Sequence, residues 1–360
     1  MKFFEVLDII NGRNQKQVEN PKGKYPIYGS GGVMGYADDY ICGANTVIIG
    51  RKGSINNPIY VDEPFWNVDT AFGLVAHKEV LLPKYLYYFC VNFNFEKLNT
   101  TVTIPSLTKA NLLQIEIAVP SIEKQNEIVA VLDQVSALIA LRHRQLKEID
   151  DLVKSRFIEM FGDPIHNEKH WLTDSVENVC SDIYGGGTPS KAHPEYYENG
   201  DIPWVSSKDM KTAVLYDSQI RINQLGVDNS TAKIVPVNSV IMVIRSGILK
   251  HTLPVAINAV PITVNQDLKV FIPSERITSF FLMYLFKMLE KDILSGVRAV
   301  TADNIEFNSL KERMIIVPPI DLQEQFATFV EQTDKSKFEI QQSLEELEIL
   351  KKSLMQQYFG

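Results

Sequence analysis

Cysteine is scarce in this chain: only Cys42, Cys90 and Cys180 carry a thiol among 360 residues. They are odd in number and far apart. That argues against a disulfide framework or a clustered metal site, and it suits the cytoplasm. Long apolar runs are also missing. No stretch reaches the roughly eighteen consecutive apolar residues of a membrane span, so none is expected. The opening Met1-Lys2-Phe3-Phe4-Glu5-Val6 puts a carboxylate where a signal peptide needs apolar residues, so secretion is not expected either. No Gly-x-x-x-x-Gly-Lys-Ser/Thr phosphate loop occurs, which argues against ATP hydrolysis by this chain. The run Gly29-Ser30-Gly31-Gly32-Val33-Met34-Gly35 misses the dinucleotide pattern, because Met34 stands where the third glycine belongs.

An excess of positive charge is absent as well. The net charge is −8, with 22% charged and 45% hydrophobic residues, as in an ordinary globular protein. Its distribution is uneven. Residues 1–120 hold 11 basic and 11 acidic residues, 163–318 hold 15 and 18, and 319–360 hold 4 and 8. The acidity therefore sits mainly at the C-terminal end, and the two large segments can each present a basic face locally.

What the sequence does contain is a copy of itself. Val119-Pro120-Ser121-Ile122 returns as Val317-Pro318-Pro319-Ile320, Gln125 as Gln323, and Phe161-Gly162 as Phe359-Gly360, all at an offset of 198 residues. Upstream, Asn45-Thr46-Val47-Ile48-Ile49 resembles Asn238-Ser239-Val240-Ile241-Met242, and Asn67-Val68-Asp69 resembles Asn265-Gln266-Asp267. The offset drifts there between 193 and 198. A period this long is no solenoid; it means two tandem domains, each with an extension.

Ile128, Leu132, Val135, Ile139, Leu146, Ile149 and Val153 follow a 4,3 spacing, broken only at Arg142, and predict one long helix over 123–160. At 1.5 Å per residue it would run about 57 Å. Gly162-Asp163-Pro164 stops it. The second copy predicts a helix over 321–358 on Phe326, Val330, Ile340, Leu344 and Leu347, with Thr333 and Lys337 inside the seam. Two such helices in one chain are expected to pair, antiparallel. The domains before them read as α+β. Val47–Ile49 and Val240–Ile244 predict buried strands, Leu82–Val91 and Ile277–Leu294 predict helices, and the glycine clusters at 29–32 and 185–187 mark turns. The expected boundaries are 1–120, 121–162, 163–318 and 319–360.

The searches for catalytic chemistry fail. Asn57-Pro58-Ile59-Tyr60 looks like an amino-methyltransferase loop, but its third position is wrong. His166-Asn167-Glu168-Lys169-His170 misplaces the glutamate for a zinc protease. Asp267-Leu268-Lys269 lacks a partner carboxylate for a nuclease. No catalytic and no metal-binding residue is expected, and the aromatics Phe65, Trp66, Phe72, Tyr85, Tyr87 and Tyr88 are expected in the core.

Two loops are better candidates for nucleic-acid contacts. Arg51, Lys52, Ser54, Asn56 and Asn57 follow a buried strand in a glycine-flanked turn. Arg245, Ser246, Lys250 and His251 sit at the matching place in the second copy, and Ser207, Lys208 and Lys211 follow Trp204. Arginine can bond guanine O6 and N7 together, and asparagine can do the same to adenine. Between Lys208 and Lys250 the chain has 6 basic and 3 acidic residues, a local excess.

A variable domain, then Val119-Pro120-Ser121-Ile122-Glu123-Lys124-Gln125 opening a long helix, then a second such unit, resembles the specificity subunit of type I restriction-modification enzymes. Val317-Pro318-Pro319-Ile320-Asp321-Leu322-Gln323 repeats that opening, and Gly50-Arg51-Lys52-Gly53-Ser54-Ile55 resembles a loop of the family's variable domains. Lys124 departs from the glutamate usual there. The resemblance implies two target-recognition domains, each reading half of a split, asymmetric site on double-stranded DNA. It implies helices that set the gap and dock two modification subunits, with restriction (motor and nuclease) subunits joining for cleavage. S-adenosylmethionine, ATP and Mg would belong to those partners, leaving this chain without cofactor and without catalysis. The alternatives are a recognition subunit of a fused restriction and methylation enzyme, a free-standing methyltransferase, or a coiled-coil scaffold.

Overall fold

The computed structural model describes residues 1–98, 106–296, 298–299 and 303–360. The chain forms two compact units, Met1–Leu146 with Glu339–Gly360, and Lys147–Phe338. Among the described residues no helix is long and apolar enough to cross a membrane.

In the first unit a single turn, α1 (Phe3–Val6), leads into β1 (Leu7–Asn11). The hairpin β2 (Tyr25–Gly29) and β3 (Gly32–Ala37) follows, then β4 (Thr46–Gly50), β5 (Ile59–Val61), β6 (Trp66–Asn67) and β7 (Ala71–Ala76). One sheet runs β1-β7-β4-β5, antiparallel throughout; the other runs β3-β2-β6, with β2 and β6 parallel. All five residues of β4 are buried, and its Thr-Val-Ile-Ile run suits a strand covered on both faces. The helices are α2 (Pro83–Asn92), α3 (Lys109–Leu113) and α4 (Ile122–Phe161). The predicted core aromatics Phe65, Trp66, Phe72, Tyr85 and Tyr88 are buried, with Tyr87 half-buried.

The second unit repeats this plan with insertions. It contains β8 (Thr173–Ser175), α5 (Val176–Val179), β9 (Cys180–Gly185), β10 (Ile202–Val205), β11 (Val214–Leu215), β12 (Arg221–Ile222), α6 (Gln224–Asp228) and β13 (Val240–Val243). β14 (Val255–Asn258), β15 (Thr263–Val264), β16 (Leu268–Pro273), α7 (Ser279–Met288), α8 (Glu290–Ser295), β17 (Arg298–Ala299) and β18 (Asp303–Asn304) come next, then α9 (Phe307–Glu312), β19 (Met314–Ile316) and α10 (Ile320–Phe359). The order β9-β16-β13-β14 mirrors β1-β7-β4-β5, and the parallel pair β10–β15 mirrors β2–β6. The helix predicted over Ile277–Leu294 is in fact two. Thr278 caps α7 by accepting from the Phe281 N–H, and Leu289, at φ −85° and ψ 3°, leaves the helical region and separates α7 from α8.

Two details mark the copies at atomic level. Asn45 and Asn238 both adopt the left-handed conformation, at φ 63° and 62°, in the turn before the buried central strand. Asparagine tolerates that region better than most residues. Gln125 and Gln323 are fully buried and do the same work. Gln125 accepts the Leu82 N–H at 2.8 Å and donates to the carbonyls of Val80 and Pro120. Gln323 accepts the Thr278 N–H at 2.8 Å and donates to those of Arg276 and Pro318. Each amide thus ties the start of a long helix to the start of a shorter one, α2 in the first unit and α7 in the second.

The 4,3 seam of the long helices is the face that packs. In the first unit Ile128 and Leu132 of α4 share a core with Met355 of α10, and Arg142 Nε donates to Ser343 Oγ at 3.2 Å. In the second unit Phe157 and Phe161 stand edge-on to Phe326, and Lys337 pairs with Asp150 at 2.6 Å. Within each unit rising numbers on α4 meet falling numbers on α10, so the pair is antiparallel. Gly162, at φ +75°, takes the left-handed position that ends α4.

Candidate nucleic-acid interface

The loop after β4 is built on glycine. A Cβ at Gly50 would lie 2.3 Å from the Ser54 carbonyl oxygen, and Gly53 has φ +78°, so the chain doubles back in five residues. The Arg51 N–H donates to the Thr70 carbonyl at 2.8 Å, and the Arg51 carbonyl accepts from Leu107 at 3.0 Å. Lys52 bridges to Ser106. The side chains of Arg51, Lys52, Ser54 and Asn57 are exposed while Ile55 is buried as the anchor. The Arg51 guanidinium lies 5.8 Å over the Phe72 ring, which holds it at the surface. Asn56 is exposed, but its amide works inside the unit, bonding Asn94 Oδ1 at 3.1 Å and accepting the Phe95 N–H at 2.8 Å.

In the second unit Ile244 N–H donates to the Asp267 carbonyl at 2.9 Å, and the Ile244 carbonyl accepts from Ile305 at 2.9 Å. Arg245 bridges to Asn304. These bonds repeat those of Arg51 and Lys52 one for one. By backbone position, therefore, Arg51 corresponds to Ile244 and Lys52 to Arg245. The same bonds match Thr70 to Asp267, an offset of 197. Asn67 thus lines up with Val264, one residue away from the Asn265 that sequence comparison pairs with it.

The two loops differ electrostatically. Arg245 directs Nε and Nη2 at Asp267 Oδ1, at 2.7 and 2.6 Å, so much of its charge is answered within the unit. Ser246 opens the turn Gly247–Lys250, with Leu249 buried beneath and Lys250 and His251 exposed. Asp267 and Lys269 face different partners, since burial pulls the Lys269 pKa down and its Nζ sits 4.3 Å over Phe307.

Ser207, Lys208 and Lys211 lie on the loop after β10. Asp209 organises it, taking the N–H and hydroxyl of Ser206 on Oδ2 and the Gln219 N–H on Oδ1, all at 2.8–2.9 Å. That leaves Lys208 and Lys211 exposed and Ser207 half-buried. The Val205 carbonyl accepts the Asn265 N–H, two residues before Asp267 anchors the other loop. The two candidate loops of the second unit therefore leave from neighbouring positions around Asn265–Asp267. In the first unit the turn between β2 and β3 holds the corresponding place, a segment the sequence marked only as a glycine turn.

This architecture, a mixed domain twice over on a pair of antiparallel helices, agrees with known proteins. The family described as type I restriction modification DNA specificity domain matches residues 1–151 and 169–349, and the chain belongs to that family. The chain is 33% identical over 220 residues to the type I restriction enzyme EcoR124I/EcoR124II specificity subunit of Escherichia coli, covering 59% of this chain and 52% of that protein. The match therefore spans about half the length of that relative. It is 25% identical over 306 residues to the MjaIX specificity subunit of Methanocaldococcus jannaschii, covering 79% and 68%. Among solved structures, a type I restriction-modification S subunit from M. genitalium superposes with a TM-score of 0.64 at 16% identity, over 100% of this chain and 95% of the other. A chain from a structure on complex assembly and conformational transition of the type I system gives 0.61 at 16% identity, over 100% and 96%. At that identity the likeness is one of fold.

Proposed function

We propose that the chain is the non-catalytic recognition subunit of a methylating complex in the cytoplasm and reads a split, asymmetric site on double-stranded DNA. Each unit reads one half, through Arg51, Lys52, Ser54 and Asn57 in the first and Ser207, Lys208, Lys211, Arg245, Ser246, Lys250 and His251 in the second. The paired helices fix the gap, because a rigid spacer sets half-site separation. They also carry two modification subunits, to which S-adenosylmethionine chemistry and the flipping of adenine belong. Motor and nuclease subunits, with ATP and Mg, complete the enzyme.

The observation that carries this reading is the repeated scaffold with unlike loops. The Leu107-to-Arg51 and Ile305-to-Ile244 hydrogen bonds hold two loops of different sequence at one position. Equal frames with unequal contact residues suit two readings of two different half-sites.

The test is genome-wide adenine methylation in a host expressing this chain with its neighbouring modification subunit. The expected result is a split motif with one fixed gap, lost when this chain is removed. A continuous motif, or one that persists without the chain, overturns the proposal.

A further inference from the structure

The hairpin between β2 and β3 is apolar where a surface hairpin is ordinarily polar. Val33 is 54% exposed, Met34 63% and Tyr36 47%. The register explains how two adjacent side chains both reach solvent: Ile27 faces Gly35 and Tyr28 faces Val33, which leaves Met34 as the extra residue of a bulge. A bulge re-aims the side chains around it. The tip itself is bare, since Cβ atoms built on Gly31 and Gly32 would have nothing within 4 Å.

This tip touches the cationic loop. A Cβ on Gly50 would come 3.0 Å from Ser30 Cβ, so the turn stands directly beside the start of the Arg51–Lys52 loop. Its place in the frame is matched in the other copy. The Tyr28 carbonyl accepts the Val68 N–H as the Val205 carbonyl accepts the Asn265 N–H. What leaves β2 therefore corresponds to what leaves β10, the loop bearing Ser207, Lys208 and Lys211. One frame position presents hydroxyls and ammonium groups in one unit and a thioether and an isopropyl group in the other.

We propose that the β2–β3 hairpin enters the major groove beside Arg51 and Lys52 and reads thymine through its C5-methyl group, using Val33 and Met34. A two-stranded ribbon fits that groove, and the thymine methyl is the apolar feature its base edges offer. The neighbouring cations suit the guanine edges and phosphates on either side. The inference rests on the reading that the first unit binds duplex DNA.

The experiment uses the complex of this chain with its modification subunits and a duplex carrying the methylated motif. The half-site of the first unit is the one whose recognition Arg51→Ala weakens. Every thymine of that half, on both strands, is replaced by deoxyuridine. Wild-type affinity should fall roughly fourfold per contacted methyl. The V33S/M34S variant should bind both duplexes equally and keep its thermal midpoint. Undiminished wild-type binding to the deoxyuridine duplex, a variant that still senses the methyls, or a half-site without thymine overturns the inference and leaves bipartite recognition standing. Loss of all preference for the split motif in the unmodified wild-type complex overturns both.

Discussion

The two units keep the same cavity in different chemistry. In the first, a cavity of about 350 Å³ lies among Val91 and Asn92 of α2, Ile139 of α4, and Glu348, Lys352 and Met355 of α10. In the second, one of about 240 Å³ lies among Lys287 and Met288 of α7, Lys337 of α10, and Asp150 and Lys154 of α4. The repeat offset pairs Ile139 with Lys337, Glu348 with Asp150 and Lys352 with Lys154; α2 and α7, offset by 196, pair Val91 with Lys287. The helix-borne acid–lysine couple is common to both, while the residues opposite it changed from apolar to charged. Burial pushes the Lys287 pKa down and, with Asp334 on the same wall, pushes the Asp334 carboxyl up. A depressed lysine weighs against the fold below its folded pKa and is relieved as pH rises towards its unfolded value; a raised aspartate weighs against it above its folded pKa and is relieved as pH falls. Duplication has thus preserved where the helices meet each unit while leaving the second junction the more polar one.

The strongest test of this equivalence lies in what did not change. Gln125→Ala should take the partner from a part-buried N–H and two carbonyls, and Gln323→Ala should do the same in the second unit. At about 1 kcal/mol net per lost hydrogen bond, each should destabilise its own unit by about 3 kcal/mol. Hydrogen exchange at the Leu82 and Thr278 amides, which lose their acceptors, gives a local readout for each. Comparable losses uphold the equivalence. A large effect at one amide and little at the other would break it.

Burial dictates period, so the features that depend on burial were legible in the sequence. Ile128, Leu132, Val135 and Val153 announced α4 because a packed helix repeats its apolar face, and all four are buried. The 198-residue repeat announced the second copy. Pairings across the chain were not legible. Lys337 stood out as a polar residue in an apolar seam, but finding Asp150 requires the register of the helix opposite. Arg245 looked like a free cation until Asp267, 22 residues on, was found against it. The loop match drifted between offsets because insertions separate the blocks, and the backbone bonds of Arg51 to Thr70 and Leu107, and of Ile244 to Asp267 and Ile305, fix it. The hairpin at Val33 and Met34 escaped notice because a glycine-rich turn signals its backbone and says nothing of which side chains a bulge exposes.

A smaller effect, of opposite sign, should follow from giving the second unit the residues of the first. K287V/D334S/K337I replaces the charged wall with its counterparts Val91, Ser136 and Ile139. Exchanging partly buried charges for apolar groups of fitting shape is often neutral to stabilising. With much of this wall still reached by water, a gain of about 1–2 kcal/mol is expected. It should appear as a higher urea midpoint for the second unit alone. A loss of stability would mean that the Lys337–Asp150 pair and its neighbours hold the helix register, the use best attested for polar groups in coiled-coil seams.

The finest distinction between the copies concerns Asn45 and Asn238. Both need the left-handed conformation, which glycine adopts freely, so replacement by glycine should leave the turn intact at each site. Of the two side chains, Asn45's has a second task, accepting the Tyr60 hydroxyl at 2.5 Å through Oδ1, whereas Asn238 accepts the Ser279 hydroxyl through its backbone carbonyl, which glycine keeps. Asn238→Gly should therefore change stability by no more than about 0.5 kcal/mol, and Asn45→Gly should lose about 1 kcal/mol more, the net value of one hydrogen bond. Tyr60→Phe removes the same bond from the other side. In a double-mutant cycle the two losses should overlap rather than add, so that Asn45→Gly costs no more in the Tyr60→Phe background than Asn238→Gly does in the wild type. Full additivity would show that the extra sensitivity of the first turn comes from its backbone, and that the two turns are less alike than their dihedral angles make them.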